Sequence, residues 1–176
     1  MKRRILLRYN DSFTCLMKKF VKFIVLTIIT VYIAWSVYEY FWYSSLIPAK
    51  IGIAYAINIS GQSGLREGCG TAIFGITNAT ADAISRQGID FFSDAIYSRR
   101  SKDLYYTYRA WKETPVPKTW TSEGTWPGLG CSSVSRSLLR QILRAAAKKG
   151  SYYSTKDEAW IIVIPSLKLV VFSYFG

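Results

Sequence analysis

An uncharged apolar run near the N-terminus constrains this chain more than any other feature. Residues 23–38 carry no charged side chain, and the apolar character continues past Glu39 to Trp42. As an α-helix, residues 23–42 would be about 30 Å long, which matches the hydrocarbon core of a bilayer. The aromatic residues at 38 and 40–43 are typical of the level at which a membrane helix meets water. We therefore predict a transmembrane signal-anchor helix over residues 23–43.

The basic residues before this run predict its orientation. Residues 1–22 hold seven Lys and Arg residues against one Asp, in a chain of net charge +12. The positive-inside rule makes 1–22 a basic cytoplasmic segment and 44–176 an extracytoplasmic domain. We expect a single-pass protein of a cell inner membrane, with its C-terminal domain periplasmic or otherwise extracytoplasmic. The side chains expected at the membrane interface, against lipid head groups, are Lys18, Lys19, Lys22, Tyr40 and Trp42.

Two other interpretations of the apolar run remain open. It could belong to a cleaved signal peptide, since Ala34-Trp35-Ser36 loosely fits a cleavage pattern. The bulky aromatic residues just beyond that triplet favour a retained anchor. It could also be the buried helix of a soluble protein, although its residues are apolar on every face.

The three cysteines agree with this topology. Cys69 and Cys131 both fall in the predicted outer domain, and each has a glycine neighbour that allows two backbones to approach closely. We predict that they form one disulfide, as an oxidising compartment allows. Cys15 is expected to remain a free cytoplasmic thiol. The rival interpretation, a reactive thiol, lacks both a C-x-x-C motif and a histidine to activate it.

The sequence predicts the α+β class. One N-terminal transmembrane helix is followed by a small, mainly antiparallel sheet packed with about three helices. Apolar, β-branched or aromatic runs predict strands over 51–59, 71–77, 104–111, 159–165 and 167–175. The last two form a hairpin that is expected to be central in the sheet, because both are apolar nearly throughout. Helices are predicted over 81–88, capped by Asn78 or Thr80, over 89–99, and over 134–149 after Ser132 or Ser133.

A long Pro, Gly and Trp-rich loop is predicted over residues 112–131. Loops of this length are uncommon in compact domains unless they are functional or fastened. We expect Trp120 and Trp126 to pack on the core as wedges, with a sugar- or peptide-stacking surface as the alternative.

The sequence lacks the usual components of a catalytic site. It contains no histidine and no S-x-x-K motif, so Ser63 in Gly61-Gln62-Ser63-Gly64 has no evident base. The glycines at 61–70 do not form a phosphate-binding motif. Asp90 and Asp94 lie four residues apart, which would place them on one helix face, but a solvated face explains them better. We expect no catalytic residue, no metal site and no cofactor.

The most specific functional hint is a basic stripe, the residues Arg136, Arg140, Arg144 and Lys148. At a spacing of four residues they stay on one flank of a helix, where they could meet an acidic partner or lipid head groups. We therefore expect an accessory or interaction protein with membrane lipid and a protein partner at the membrane surface as its contacts, no nucleic acid partner, and an undetermined oligomeric state. The alternatives are a membrane-anchored envelope hydrolase and an immunity-type protein against an exported toxin.

Overall fold

A long helix and a sheet domain make up the chain. The computed structural model describes residues 2–63, 67–121, 126 and 128–176. The chain divides into two compact units, Met1–Glu39 and Tyr40–Gly176. Helix α1 (Lys2–Leu46) provides the first unit, and its last turns belong to the second unit together with all the other elements.

Helix α1 contains a segment, Met17–Leu46, that is long and apolar enough to cross a membrane, and none of its most apolar stretch is buried. Three hydroxyl groups there donate to the carbonyl oxygen four residues earlier, each at 2.9 Å, and they belong to Thr27, Thr30 and Ser36. Hydrocarbon offers no hydrogen-bond partners, so a lipid-exposed helix needs this internal pairing. The exposure argues against the helix of a soluble core.

The second unit is built on a six-stranded sheet of order β1-β2-β6-β5-β4-β3, in which all neighbours are antiparallel. The strands are β1 (Ile53–Ser63), β2 (Gly68–Ile76), β3 (Lys112–Glu113), β4 (Tyr152–Lys156), β5 (Ala159–Ile164) and β6 (Leu169–Phe175). The predicted α+β class is confirmed, and so is the central position of the C-terminal hairpin β5–β6. Its strands are apolar because both faces of the sheet are covered.

One face of the sheet, which we call the anchor face, packs against the end of α1 and against helix α2 (Asn78–Gln87). Leu46 and Ile47 are buried there together with Ile84 of α2 and Phe74 of β2. The apolar character of α1 thus continues into the core of the domain. Burial of aliphatic side chains of this size contributes roughly 1.5–3 kcal/mol each.

Arg99 holds the end of α1 in place on the anchor face. Its guanidinium donates to the carbonyl oxygens of Ser44 and Ile47 at 3.2 Å and to that of Ile51 at 2.5 Å. The last carbonyls of a helix have no partner within the helix, and a cation is favoured there. Burial lowers the pKa of Arg99, but an arginine remains charged at any physiological pH.

The opposite face, the loop face, packs against helix α3 (Arg136–Ala146) and the loop before it. Ile73 and Ile162 of the sheet meet Ile142 of α3 and Trp126 of the loop in a second buried cluster. Alternation along each strand directs one set of side chains to the anchor face and the next set to the loop face. The domain therefore has three layers with the sheet in the middle.

Helix α2 has a different N-cap from the one predicted. Thr77, rather than Asn78 or Thr80, caps it: its backbone is extended, and its hydroxyl accepts from the backbone N–H of Thr80 at 3.2 Å. Gly88 ends the helix at φ 59°, as its position in the sequence predicted.

Helix α3 begins later and ends earlier than predicted. Ser135 is the N-cap, not Ser132 or Ser133, and its hydroxyl accepts from the N–H of Leu138 at 3.4 Å. The helix stops at Ala146, four residues before Gly150. The predicted apolar stripe is confirmed, because this side of the helix packs on the loop face.

The predicted strand over 104–111 is wrong. Residues Leu104–Tyr106 form a 3₁₀ turn, and the following aromatic residues turn inward onto the anchor face. The Tyr108 hydroxyl donates to the Leu46 carbonyl and the Trp111 indole to the Ala95 carbonyl, both at 2.9 Å. Aromatic enrichment here reflects packing against helix ends and turns, and the backbone of the segment pairs with Tyr97 through an isolated bridge at Thr107.

The predicted helix over 89–99 is a 3₁₀ turn, Gly88–Phe92, followed by irregular backbone. Phe91 and Phe92 are both buried, with ring centroids 5.0 Å apart. The Ser93 N–H donates to the Asp90 carbonyl at 3.2 Å, which is the three-residue spacing of a 3₁₀ turn.

Strand β4 was not predicted, because Ser154, Thr155 and Lys156 give it a polar composition. The buried Ser154 hydroxyl donates a hydrogen bond to the Arg109 carbonyl at 2.6 Å. Antiparallel backbone pairing with β5 stabilises this strand, which has no alternating apolar side chains of its own.

Candidate binding sites

Cys69 and Cys131 form a disulfide, as predicted, with Cα atoms 6.2 Å apart and a sequence separation of 62 residues. Cys69 lies near the start of β2, and Cys131 lies at the end of the long loop. The bond therefore ties that loop to the sheet.

At Gly128, three residues before Cys131, the loop packs against the backbones of two strands. Its φ is +87°, and a Cβ there would lie 2.7 Å from the carbonyl oxygens of both Gly70 and Tyr174. Its own carbonyl accepts from the Thr71 hydroxyl at 2.9 Å. Only glycine allows the loop to lie this close to the backbones of β2 and β6.

The two loop tryptophans are core residues, as predicted. Trp120 is 7% exposed and Trp126 is 1% exposed, with ring centroids 5.7 Å apart in an edge-on arrangement. The Trp126 indole N–H donates to the buried Ser173 hydroxyl at 2.8 Å. Burial at this level leaves little of either ring for stacking on a sugar or peptide.

The catalytic candidates lie at the end of β1 and in the turns that follow α2. Ser63 ends β1 opposite Gly68. Asp90 is exposed in the 3₁₀ turn. The Lys50 ammonium donates a hydrogen bond to the Asp94 carboxylate, and this ion pair lowers the pKa of the Asp94 carboxyl. Within the described ranges, no group of three or more His, Cys, Asp or Glu side chains could hold a metal ion.

The four residues of the basic stripe are all exposed. Arg136, Arg140 and Arg144 lie on α3, whereas Lys148 lies beyond its end. The guanidinium of Arg140 donates to the Arg136 carbonyl, and that of Arg144 to the Arg140 carbonyl, both at 3.2 Å. Among the residues with a described structure, none of the four has an ion-pair partner.

The residues predicted for the membrane interface fall in both units. Lys18, Lys19 and Lys22 are exposed on α1. The Tyr40 ring packs edge-on against Phe74, with centroids 5.9 Å apart. The Trp42 ring stacks with the Arg100 guanidinium at 4.0 Å. These two aromatic residues therefore also contribute to the domain.

A pocket of about 320 Å³ lies beside the end of α1. Residues from α1, the 104–106 turn, the β4–β5 turn and β6 line it. Its aromatic wall comprises Trp42, Tyr43, Tyr105, Tyr106, Phe172 and Tyr174. Three charged residues complete it, the consecutive Lys156, Asp157 and Glu158. Apolar walls with a few polar groups are typical of ligand sites.

The Lys156 ammonium is the unusual group in this pocket. Lys156 is 7% exposed, and its Nζ lies 4.4 Å from the centre of the Tyr105 ring and 3.4 Å from the Tyr105 carbonyl oxygen. Burial lowers its pKa, against the opposing attraction of Asp157 and Glu158. No carboxylate among the described residues is within ion-pairing distance of it.

Sequence reasoning missed this pocket because it missed β4. The available signal was a cation followed directly by two acids at 156–158, just before an apolar strand. A turn at that position would have placed the three charges at one end of the sheet.

Comparison of the chain with family models, with curated proteins and with solved structures gives no match in any of the three.

Proposed function

We propose that this chain is a single-pass, membrane-anchored accessory or interaction protein whose α+β domain lies outside the cytoplasm. The observation that carries the proposal is the continuity of α1. One helix contains a segment apolar enough to span a bilayer, and the same helix ends in the buried Leu46 beside Ile47. A chain whose apolar segment stays in a bilayer keeps the attached domain at that membrane.

Two observations support the orientation. The excess of Lys and Arg in residues 1–22 favours a cytoplasmic N-terminus. The bond between Cys69 and Cys131 favours an oxidising compartment such as the periplasm for the domain.

The basic stripe supports an interaction role. Exposed arginines without ionic partners are available to an acidic surface, and Arg binds carboxylates through two parallel hydrogen bonds. Helix α3 packs on the loop face, and the end of α1 packs on the anchor face. The sheet therefore separates the stripe from the end of α1, and an acidic protein is the contact that we propose for the stripe.

The topology is tested with an epitope tag at each end of the full chain, followed by protease treatment of intact spheroplasts. We expect loss of the C-terminal tag and protection of the N-terminal one, both on a membrane-bound chain. A chain lacking its N-terminal tag at steady state would instead show a cleaved signal peptide. Protection of the C-terminal tag would contradict the proposed orientation.

The interaction is tested by charge reversal at Arg136, Arg140 and Arg144, with crosslinking in detergent extracts. The matched control reverses the exposed Lys102, Lys112 and Lys118, which changes the net charge equally. We expect crosslinks to acidic proteins to be lost with the arginine variant, retained with the control, and weakened by salt. Equal crosslinking by both variants would show that the stripe is only a solvated face.

A further inference from the structure

The Lys156 pocket lies next to the end of the apolar segment. Its wall includes Trp42, Tyr43 and Leu46, from the last turns of α1. Glu39 and Trp42 are three residues apart, so their Cα atoms are at most about 11 Å apart whatever the conformation. When the apolar segment spans a bilayer with Glu39 at the head-group level, those head groups are within about 11 Å of Trp42 in the pocket wall.

The buried cation makes the pocket suited to an anion. An ammonium carries three donors, and the only acceptor that Lys156 has among the described residues is the Tyr105 carbonyl. The rings of Tyr105, Tyr106 and Phe172 surround it without neutralising its charge. A phosphate oxygen would supply a charge-assisted hydrogen bond to a group that has already lost most of its water.

The acids next to Lys156 restrict which anion fits. Asp157 and Glu158 also line the pocket, and both are exposed at the β4–β5 turn. Asp157 has a cationic neighbour, Arg109, at 3.7 Å, whereas Glu158 has no ion-pair partner among the described residues. A ligand that is only anionic would be repelled by these carboxylates. A ligand with an amine beside its phosphate satisfies both signs of charge.

We propose that this pocket binds a phosphate ester bearing a primary amine, of the phosphoethanolamine type, presented by a membrane lipid. The phosphate contacts the Lys156 ammonium, and the amine contacts Glu158 and the face of Tyr105. The volume of about 320 Å³ lies within the usual range for ligand pockets. The lipid source rests on the proposed membrane anchoring, whereas the chemistry of the pocket does not.

The chemistry is tested by calorimetric titration of the full chain in detergent with soluble phosphoethanolamine, glycerol phosphate and ethanolamine. We expect phosphoethanolamine to bind more tightly than either half-ligand. Lys156→Met should weaken binding of both phosphates about tenfold or more. Glu158→Gln should weaken binding of phosphoethanolamine several-fold and strengthen binding of glycerol phosphate, because the variant removes a carboxylate that repels an anion. Lys112→Met and Glu113→Gln, at an exposed site outside the pocket, are the matched controls.

The lipid source is tested by native mass spectrometry of the full chain taken from nanodiscs. The discs contain phosphatidylcholine with equal amounts of phosphatidylethanolamine and phosphatidylglycerol. We expect selective retention of phosphatidylethanolamine, reduced in Glu158→Gln. Binding of soluble phosphoethanolamine without that retention would overturn the lipid as the source and support a free ligand.

Two results would overturn the pocket assignment itself. One is equal affinity for glycerol phosphate and phosphoethanolamine, which would remove the role of the carboxylates. The other is unchanged titration with Glu158→Gln, whose exposed position keeps this variant informative even where Lys156→Met fails to fold. Because the titration uses soluble ligands in detergent, it is independent of the topology test, so failures of the two proposals are distinguishable.

Discussion

The two faces of the sheet are closed in different ways. The anchor face is closed by the end of α1, which Arg99 and Tyr108 bind through its last carbonyls. The loop face is closed by α3 and by a loop that is fixed by Gly128, Trp126 and the disulfide. One face therefore depends on the end of α1, and the other depends on oxidation of the cysteine pair. The end of the apolar helix and the disulfide are both parts of the fold.

The largest effect is expected from removing the end of α1. Leu46 and Ile47 fill the anchor face, and loss of each such side chain destabilises by about 2–5 kcal/mol. Together this approaches the roughly 5–15 kcal/mol that stabilises an ordinary domain. We expect residues 48–176 to be largely unfolded by circular dichroism, and residues 40–176 to be folded. Equal folding of the two fragments would show that the anchor face does not need the helix.

Loss of the disulfide is expected to be the next largest effect. For a loop of 62 residues, the chain-entropy model gives about 4 kcal/mol of stabilisation. The variant Cys69→Ala with Cys131→Ala should lose about that much free energy of unfolding in urea. Cys15→Ser is the control and should be unchanged. A double variant as stable as the wild type would mean that Gly128 and Trp126 alone hold the loop.

Within the loop face, we expect Trp126→Phe to destabilise by about 2–3 kcal/mol. The substitution removes ring volume and leaves the buried Ser173 hydroxyl without its indole partner. Ser173→Ala and the double variant complete a thermodynamic cycle measured by chemical denaturation. Strict additivity would contradict coupling through the 2.8 Å hydrogen bond.

A smaller effect is expected at the start of α3. Ser135→Ala removes the N-cap hydrogen bond to Leu138, which should lower the free energy of unfolding by about 1 kcal/mol. Ser133→Ala is the control, at one of the two positions that the sequence indicated, and should change stability by only a few tenths of a kcal/mol. A larger loss of stability in Ser133→Ala than in Ser135→Ala would place the helix start two residues earlier.

The smallest effect is a pH dependence from Lys156 beside the anchor face. Burial lowers its pKa in the folded state, whereas the unfolded chain keeps the ordinary value of about 10.4. Between the two values the unfolded state binds more protons, so stability rises with pH there; below the folded pKa the unfavourable contribution is complete. The stability of the wild type relative to Lys156→Met should therefore rise towards pH 10.4. A pH-independent difference would contradict the desolvated cation.

Features set by local pattern or by one chemical pairing could be predicted from the sequence. Composition or periodicity indicates one kind of element in three places. These are the apolar segment of α1, the apolar stripe of α3 and the hairpin β5–β6. The pairing of Cys69 with Cys131 followed from which cysteines share one side of the predicted membrane.

Features decided by distant partners could not be predicted. Residues 104–111 have the aromatic content of a strand, but Tyr108 and Trp111 find their partners on α1 and in the turn after α2. Strand β4 has no apolar alternation and is stabilised by its neighbour β5. The pocket combines four segments that are remote in sequence, so no local pattern indicates it.

The position of Gly128 has a consequence for the order of assembly. Its site is bounded by the backbone of Gly70 on β2 and of Tyr174 on β6. Cys69 and Cys131 both precede β6 in the chain. The site that holds the loop is nevertheless complete only when β6 has been made and has joined the sheet. Native closure of the loop therefore follows the synthesis of both cysteines and waits for β6.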